Sequence, residues 1–314
     1  MRNNDYSKSA GKIPARYRVD KATRIFFTIC GWLAALMIVL ILWFIIMRGI
    51  RVFFPSYPEQ QNLGDFLTGM RWRADQQDYG VGFIIINTFI TAIGAAILAF
   101  PVAVLSALLI TKIAPPKLRA PLTTLIELLA AVPSVVFGVF ASGVITEMVD
   151  NLAQKFGMTT FGGNSMLAVI ILLAIMIYPT ITALAIVSIQ AVPRELELGS
   201  LALGATNTQT HFKVVLKSAR TGIVTGLILG LGRAFGEATA VSMVAGNAFT
   251  GPTWNLFDIT RTLTSTMLSG MHETTGVDYD IRFTVGMVLM IVMLITNLSI
   301  HAVRKHMEKK GQRG

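Results

Sequence analysis

Long apolar runs alternate with short polar segments along this chain. Six runs, about Ile25–Met47, Val81–Thr111, Pro121–Thr146, Met166–Gln190, Thr221–Ala245 and Phe283–Val303, are each near or above the ~20 residues a helix needs to cross a bilayer. They predict an all-α integral membrane protein with six transmembrane helices. Pro101, Pro133 and Pro179 fall inside these runs and predict kinks, whose freed backbone groups neighbouring helices must satisfy. A long polar and basic stretch precedes the first run. A cleaved signal has a short basic region and a small-residue cleavage site, so the first run reads as a retained helix. The organisation is then a tail over 1–24, a six-helix domain over 25–303 and a second tail over 304–314.

A long polar interruption in the second half runs from Val192 to Ile223. It has the pattern of a short helix, a glycine turn and a second short helix. Pro193 suits a helix start, because its missing N–H and fixed φ cost nothing there. Leu196, Leu201 and Leu203 are candidates for one buried stripe, Gly204 breaks the run, and Phe212, Val215 and Leu216 begin the next. A folded loop held between two spans is a docking surface for something in the aqueous phase. Two connections on the opposite side, 49–80 and 246–282, are also longer than a minimal loop. In the second, Ile259, Leu263 and Met267 at helical spacing predict a short interfacial helix. These connections form either a platform for a partner or a cap over the helix ends.

Composition agrees with a membrane protein. The chain is 53% hydrophobic and 14% charged, with a mean hydropathy of +0.62. The net charge of +10 does not point to nucleic acid, because the cations form no single patch. They gather in the two tails and in the second-to-third and fourth-to-fifth connections, while the other side is mostly acidic. That asymmetry places both termini and the Val192–Ile223 loop in the cytoplasm. Cys30 is the single cysteine, and His211, His272, His301 and His306 have no metal-ligand spacing. The sequence offers no catalytic set, no metal site, no cofactor site and no Walker loop for ATP.

The fifth run carries the chemistry. Gly222, Gly226 and Gly230 form one row at a spacing of four, and Gly232 and Gly236 a second. Small residues at that spacing let helix backbones approach closely in lipid. Arg233 and Glu237 are four apart and are expected on one helix face. Ionisable groups at membrane depth usually face the bundle interior or an aqueous path. Two readings follow: an ion pair that only stabilises the span, or a pathway in which Arg233 offers an oxyanion a fork of donors and Glu237 orients it. Glu127 lies near the cytoplasmic end of the third run and reads as snorkelling to the interface.

The loop segment L-x-x-L-A-L-G-A, followed by V-V-L and G-I, resembles the cytoplasmic coupling loop of binding-protein-dependent ABC importer permeases. IELLAAVPSVVFG and GLGRAFGEATAVSMVAGN resemble segments of phosphate ABC transporter permeases of the PstC type. The glutamate that names the loop motif falls at Leu198, with Glu197 beside it, and the alanines fall at Gly199 and Ser200. Lys217 stands at the usual proline. The resemblance implies a type I importer permease fold that moves inorganic phosphate by alternating access. It implies a pathway role for Arg233 and Glu237. It assigns ATPase coupling to the loop 191–220, through Leu198, Gly199, Leu201, Leu203, Gly204, Ala205 and Phe212. It implies as partners a second, PstA-like permease subunit, a cytoplasmic ABC ATPase dimer and an extracytoplasmic phosphate-binding protein. It places the chain in a bacterial or archaeal cytoplasmic membrane, with ATP hydrolysis in a separate subunit. Sulfate or molybdate as cargo is the nearest alternative. An ATP-independent secondary transporter or channel is a further one, against which the coupling loop argues.

Overall fold

The structure, a computed structural model, describes residues 13–311. Of the tails' basic residues, Arg2, Lys8, Lys12 and Arg313 lie outside the described residues, as do the side chains of Arg16, Arg18, Arg304, Lys305, Lys309 and Lys310. Among the described residues, six helical stretches are long and apolar enough to cross a membrane: Val19–Phe53, Gly82–Ile113, Ser134–Lys155, Met166–Gln190, Asn207–Gly236 and Val277–Ile300. The chain is a six-span α-helical membrane protein with a small β-hairpin in one connection.

Two spans differ from the sequence reading, and both differences sit at helix breaks. The third crossing was expected over Pro121–Thr146. Instead α4 (Pro116–Ala131) stops before Val132, which takes an extended conformation at ψ 127°, and α5 (Ser134–Phe140) begins after Pro133. Proline removes a donor and drives its predecessor out of the helical region, so Pro133 ends a helix rather than kinking one. The crossing stretch is α5 with α6 (Thr146–Lys155), which takes Glu147 and Asp150 into the helix. By contrast, α3 (Gly82–Leu108) runs through Pro101 and α7 (Met166–Gln190) runs through Pro179. The fifth crossing was expected to reach Ala245. It ends at Gly236, where α10 (Leu216–Gly236) gives way to extended backbone at Glu237 and then to the short α11 (Thr239–Val244).

Helix α7 is the centre of the bundle. Alanines of α3 (Ala92, Ala95, Ala99, Ala103) share a buried cluster with Leu172, Leu173, Ile177 and Ile181 of α7. Small side chains on one helix and large ones on the other allow close packing where lipid supplies no hydrophobic drive between helices. On another side of α7, a Cβ on Gly222 would lie 2.0 Å from Ser188 Oγ, one on Gly226 would lie 3.2 Å from Leu184 Cβ, and one on Gly230 would lie 2.8 Å from Ile181 Cγ1. That row lies against α7. The second row does not: a Cβ on Gly232 or Gly236 would meet nothing within 4 Å.

Helix α1 (Ile13–Ile50) is exposed to its surroundings over most of its length. It joins the bundle at its end, on α13 (Val277–Gly311). Arg48 pairs with Asp280 at 2.7 Å and lies over the rings of Tyr279 and Phe283, and Thr284 Oγ1 donates to the Gly49 carbonyl at 2.7 Å.

The connection after α1 folds into a cap. It contains α2 (Leu63–Thr68) and an antiparallel hairpin of β1 (Trp72–Arg73) and β2 (Asp78–Tyr79). Val52, Phe66, Trp72 and Tyr79 bury themselves with Leu263 and Val285. Tyr57 OH donates to Asp280, and burial together with that carboxylate pushes its pKa up to about 12. The expected interfacial helix exists as α12, the capping-box helix Leu263–Leu268, but it is buried rather than interfacial: Leu263, Thr264, Ser265 and Thr266 are all inside. Its hydroxyls are satisfied locally or by neighbouring elements, which is what permits a threonine-rich helix in a core. One buried arginine braces it, and a second ties the segment before it to the loop at 247–248. Arg282 Nη1 donates to the Thr266 carbonyl, and Arg261, 5% exposed, donates to the carbonyls of Asn247 and Ala248. Burial, and secondarily the charge of Arg282, pushes Arg261 down to about 10.

Candidate functional site

The break that ends α10 gathers the pathway candidates. Arg233 lies in the last turn of α10, half-buried, and its Nη1 donates to Thr180 Oγ1 of α7 at 3.3 Å. Glu237 lies beyond the helix end at φ −75°, ψ 115°. Its carboxylate accepts from the Ala240 N–H at 3.1 Å, supplying an acceptor to the first turn of α11, and its carbonyl accepts from Thr264 Oγ1 at 2.8 Å. The two residues therefore do not share a helix face and do not pair. The physical reason is the break: a spacing of four aligns side chains only while the helix continues.

Three helices are tied together here by small polar groups. Leu263 N donates to Thr88 Oγ1 of α3 at 3.0 Å, one residue from the Thr264–Glu237 bond. The rings of Phe89 and Phe235 meet edge to face at 5.4 Å on the same α3–α10 seam. Beside Arg233, Gly232 and Gly236 leave the surface without side-chain cover. The helix end thus brings together a guanidinium held by Thr180, a carboxylate held by the Ala240 N–H, and two glycines with open space where a Cβ would stand. Its fork of donors has one protein partner and spare N–H groups, which suits a planar or tetrahedral oxyanion. Thr88, Thr180 and Thr264 were not singled out from the sequence. The threonines between Leu263 and Met267 were the available signal for one of them.

The second candidate is the loop between α7 and α10. Helix α8 covers Arg194–Ala202, and Gly204 at φ +86° ends it, with Gly204 N bonding the Leu201 carbonyl and Ala205 N the Ser200 carbonyl. Glycine adopts that left-handed conformation without a Cβ penalty. Thr206 and Gln209 then form a capping box that starts the next helical stretch, α9 (Asn207–Gln209). A π-turn over Thr210–Val215 leads into α10, and Phe212 on it is 49% exposed. The stripe of Leu196, Leu201 and Leu203 expected to be buried is exposed. Leu203 is 91% and Leu198 54% exposed, a Cβ on Gly199 would meet nothing within 4 Å, and Ala205 is half-buried. The residues of α8 that are not exposed are Glu197 and Ser200. The helix thus turns a polar edge to its own bundle and leaves its leucines outside, because the groups within reach on the bundle are a lysine and a threonine. Glu197 pairs with Lys112, and Ser200 Oγ lies 2.9 Å from Thr210 Oγ1.

At the opposite end, Arg73, Thr160, Phe161, Phe249, Thr253 and Asp258 line a cleft of about 500 Å³. Trp254, 78% exposed, stands on the same loop.

Comparison with known proteins agrees with this architecture. A permease protein of Bacillus subtilis, named as the probable ABC transporter permease YqgH, is 38% identical over 240 residues, covering 75% of this chain and 76% of the relative. The phosphate transport system permease protein PstC of Pasteurella multocida is 31% identical over 276 residues, covering 83% and 86%. Among solved structures, a chain of a bacterial alginate ABC transporter in complex with its periplasmic protein shares the fold at a TM-score of 0.61 and 16% identity, covering 92% of this chain and 97% of that one. Residues 99–312 match the family described as the binding-protein-dependent transport system inner membrane component, and the chain belongs to that family.

Proposed function

We propose that this permease subunit carries inorganic phosphate inward by alternating access, driven by ATP hydrolysed in a separate cytoplasmic subunit. The observation that carries the reading is Arg233 at the broken end of α10, with Gly232 and Gly236 leaving open space beside it. Relatives that match most of the chain are named as phosphate transport system permeases, which supports phosphate over other oxyanions. The Lys/Arg asymmetry supports a cytoplasmic position for both tails and for α8. The exposed Leu198, Leu201, Leu203 and Phe212 then form the face for an ABC ATPase dimer, whose groove would receive a short helix. The uncovered glycine face suits a second, PstA-like permease subunit that completes the passage. The cleft beside Trp254 suits a phosphate-binding protein outside the cytoplasmic membrane of a bacterium or archaeon.

The test is uptake of labelled phosphate by the reconstituted four-component importer in vesicles. ATP-dependent accumulation that excess sulfate and molybdate fail to compete is the expected result. Accumulation abolished by sulfate or molybdate would reassign the cargo, and uptake without any ATPase subunit would return the chain to the secondary-transporter class.

A further inference from the structure

The polar edge of α8 has a specific geometry. Glu197 and Ser200 are three positions apart and so lie on one side of the helix. Each reaches a different span. Glu197 pairs with Lys112, whose side chain is 18% exposed against 19% for Glu197. Lys112 belongs to a π-turn, Leu109–Ile113, that ends the second span. Ser200 meets Thr210, the first residue of the π-turn that begins the run into α10. Leu108, Ile110, Val215 and Ala219 of the adjoining stretches bury themselves in one cluster with Ile186 and Ile189 of α7. The two π-turns therefore flank the same end of the central helix.

A π-turn holds one extra residue in a widened turn, and such turns are frequent at functional sites. Helix α8 has no buried apolar side chain to spread a load over its own bundle. Among the described residues, an ion pair and a hydroxyl pair attach it, each to a π-turn.

We infer that the Lys112–Glu197 pair and the Ser200–Thr210 contact form a relay that passes displacement of α8 to α3 and α10 together. The inference rests on the reading of α8 as the ATPase-docking helix. Its consequence is that Glu197 is a positioning residue facing this chain's own second span, not a contact to the ATPase. At the other end of α10 lie Arg233 and the break at Glu237, so movement entering at Thr210 reaches the pathway group along one continuous helix. The α3 branch arrives at the same place, since Thr88 of α3 holds Leu263 beside the Thr264–Glu237 bond.

The experiment uses the complete importer in vesicles and reads three quantities: ATPase retained on the complex, ATP hydrolysis, and labelled-phosphate uptake. Lys112→Glu and Glu197→Lys each put like charges together, and each should lower phosphate moved per ATP by about fivefold or more, the usual size of a coupling between sites. The ATPase should remain bound. The exchanged pair, Lys112→Glu with Glu197→Lys, restores the attraction and should recover most of the lost ratio. Recovery ties the loss to this pair, and a fall in phosphate moved per ATP with ATPase binding and hydrolysis held separates the relay from misfolding, which would lower all three. Equal ratios in unaltered and singly reversed complexes, or an exchanged pair no better than the singles, would overturn the relay. Loss of ATPase binding by Glu197→Lys with no rescue by Lys112→Glu would also overturn it and make Glu197 a docking contact. Failure of the unaltered complex to bind an ATPase is a separate outcome, which sinks the docking reading itself.

Discussion

Thr264 Oγ1 donates to the carbonyl of Glu237 at 2.8 Å, and the bond sits where α10 stops being a helix. A helix end leaves carbonyls without intrahelical partners, and in a membrane interior no water is assured to them. Here the buried helix α12 supplies the partner from a distant part of the chain. Thr264→Val keeps the side chain's shape and removes the donor. An orphaned buried carbonyl costs about 1–3 kcal/mol, and this part-buried one the lower end of that range. The variant should melt at a lower temperature in detergent and transport less phosphate. Unchanged melting would mean that another group fixes the break.

The two glycine rows should separate on substitution. A methyl on Gly230 meets Ile181 Cγ1 at 2.8 Å, and one on Gly222 meets Ser188 Cβ at 2.7 Å. Gly230→Val and Gly222→Val should destabilise the isolated subunit by about 1–3 kcal/mol, the range for overpacking. Gly232→Ala and Gly236→Ala should leave its melting temperature unchanged or slightly raised, since nothing lies within 4 Å of either Cβ and alanine is the better helix former. A transport defect in Gly232→Ala with normal stability would place that glycine on a surface used only in the assembled importer. Equal destabilisation by both rows would show that the open face closes on this chain itself.

The six spans were legible because a bilayer demands length and apolarity, and both are written residue by residue. Their ends were less so. Hydropathy does not distinguish Pro133, which stops a helix, from Pro101 and Pro179, which lie within continuing ones; the surroundings of each proline decide. The break at Glu237 is invisible to periodicity, because its stabilising partners Thr264 and Ala240 belong to other elements. The same blindness misjudged α8. Leucines at helical spacing predict a buried stripe when the helix packs on its own chain, and this helix does so through Glu197 and Ser200.

Orientation can be read from outside. In a chain with Cys30→Ala, single cysteines at Thr208, on the loop, and at Gln76, in the hairpin connection, both start exposed. The Lys/Arg asymmetry predicts that Gln76→Cys reacts with a membrane-impermeant thiol reagent in intact cells and Thr208→Cys only after lysis. The reverse pattern would invert the topology and remove α8 from the ATPase side.

The separate partners of Arg233 and Glu237 change how their roles are tested. Exchanging the two residues would distinguish a structural ion pair from a pathway if they paired, but they do not, and the exchange breaks the Thr180 and Ala240 contacts together. Conservative variants discriminate better. Glu237→Gln retains an oxygen for the Ala240 N–H and removes only the charge, so melting should be nearly unchanged; a fall in uptake would assign that fall to the charge. Thr180→Val removes the hydroxyl that holds the guanidinium and should lower uptake modestly by loosening Arg233. Arg233→Lys keeps the positive charge but replaces a planar fork by a point charge. If the fork binds the anion, phosphate uptake should drop about tenfold or more, the scale of a lost hydrogen bond to a charged group at ~1.5–3 kcal/mol. Assembly, ATP hydrolysis and melting temperature should hold. Near-normal uptake by Arg233→Lys would exclude bidentate recognition, and a drop matched by an equal loss of stability would leave Arg233 as a strut between α10 and α7.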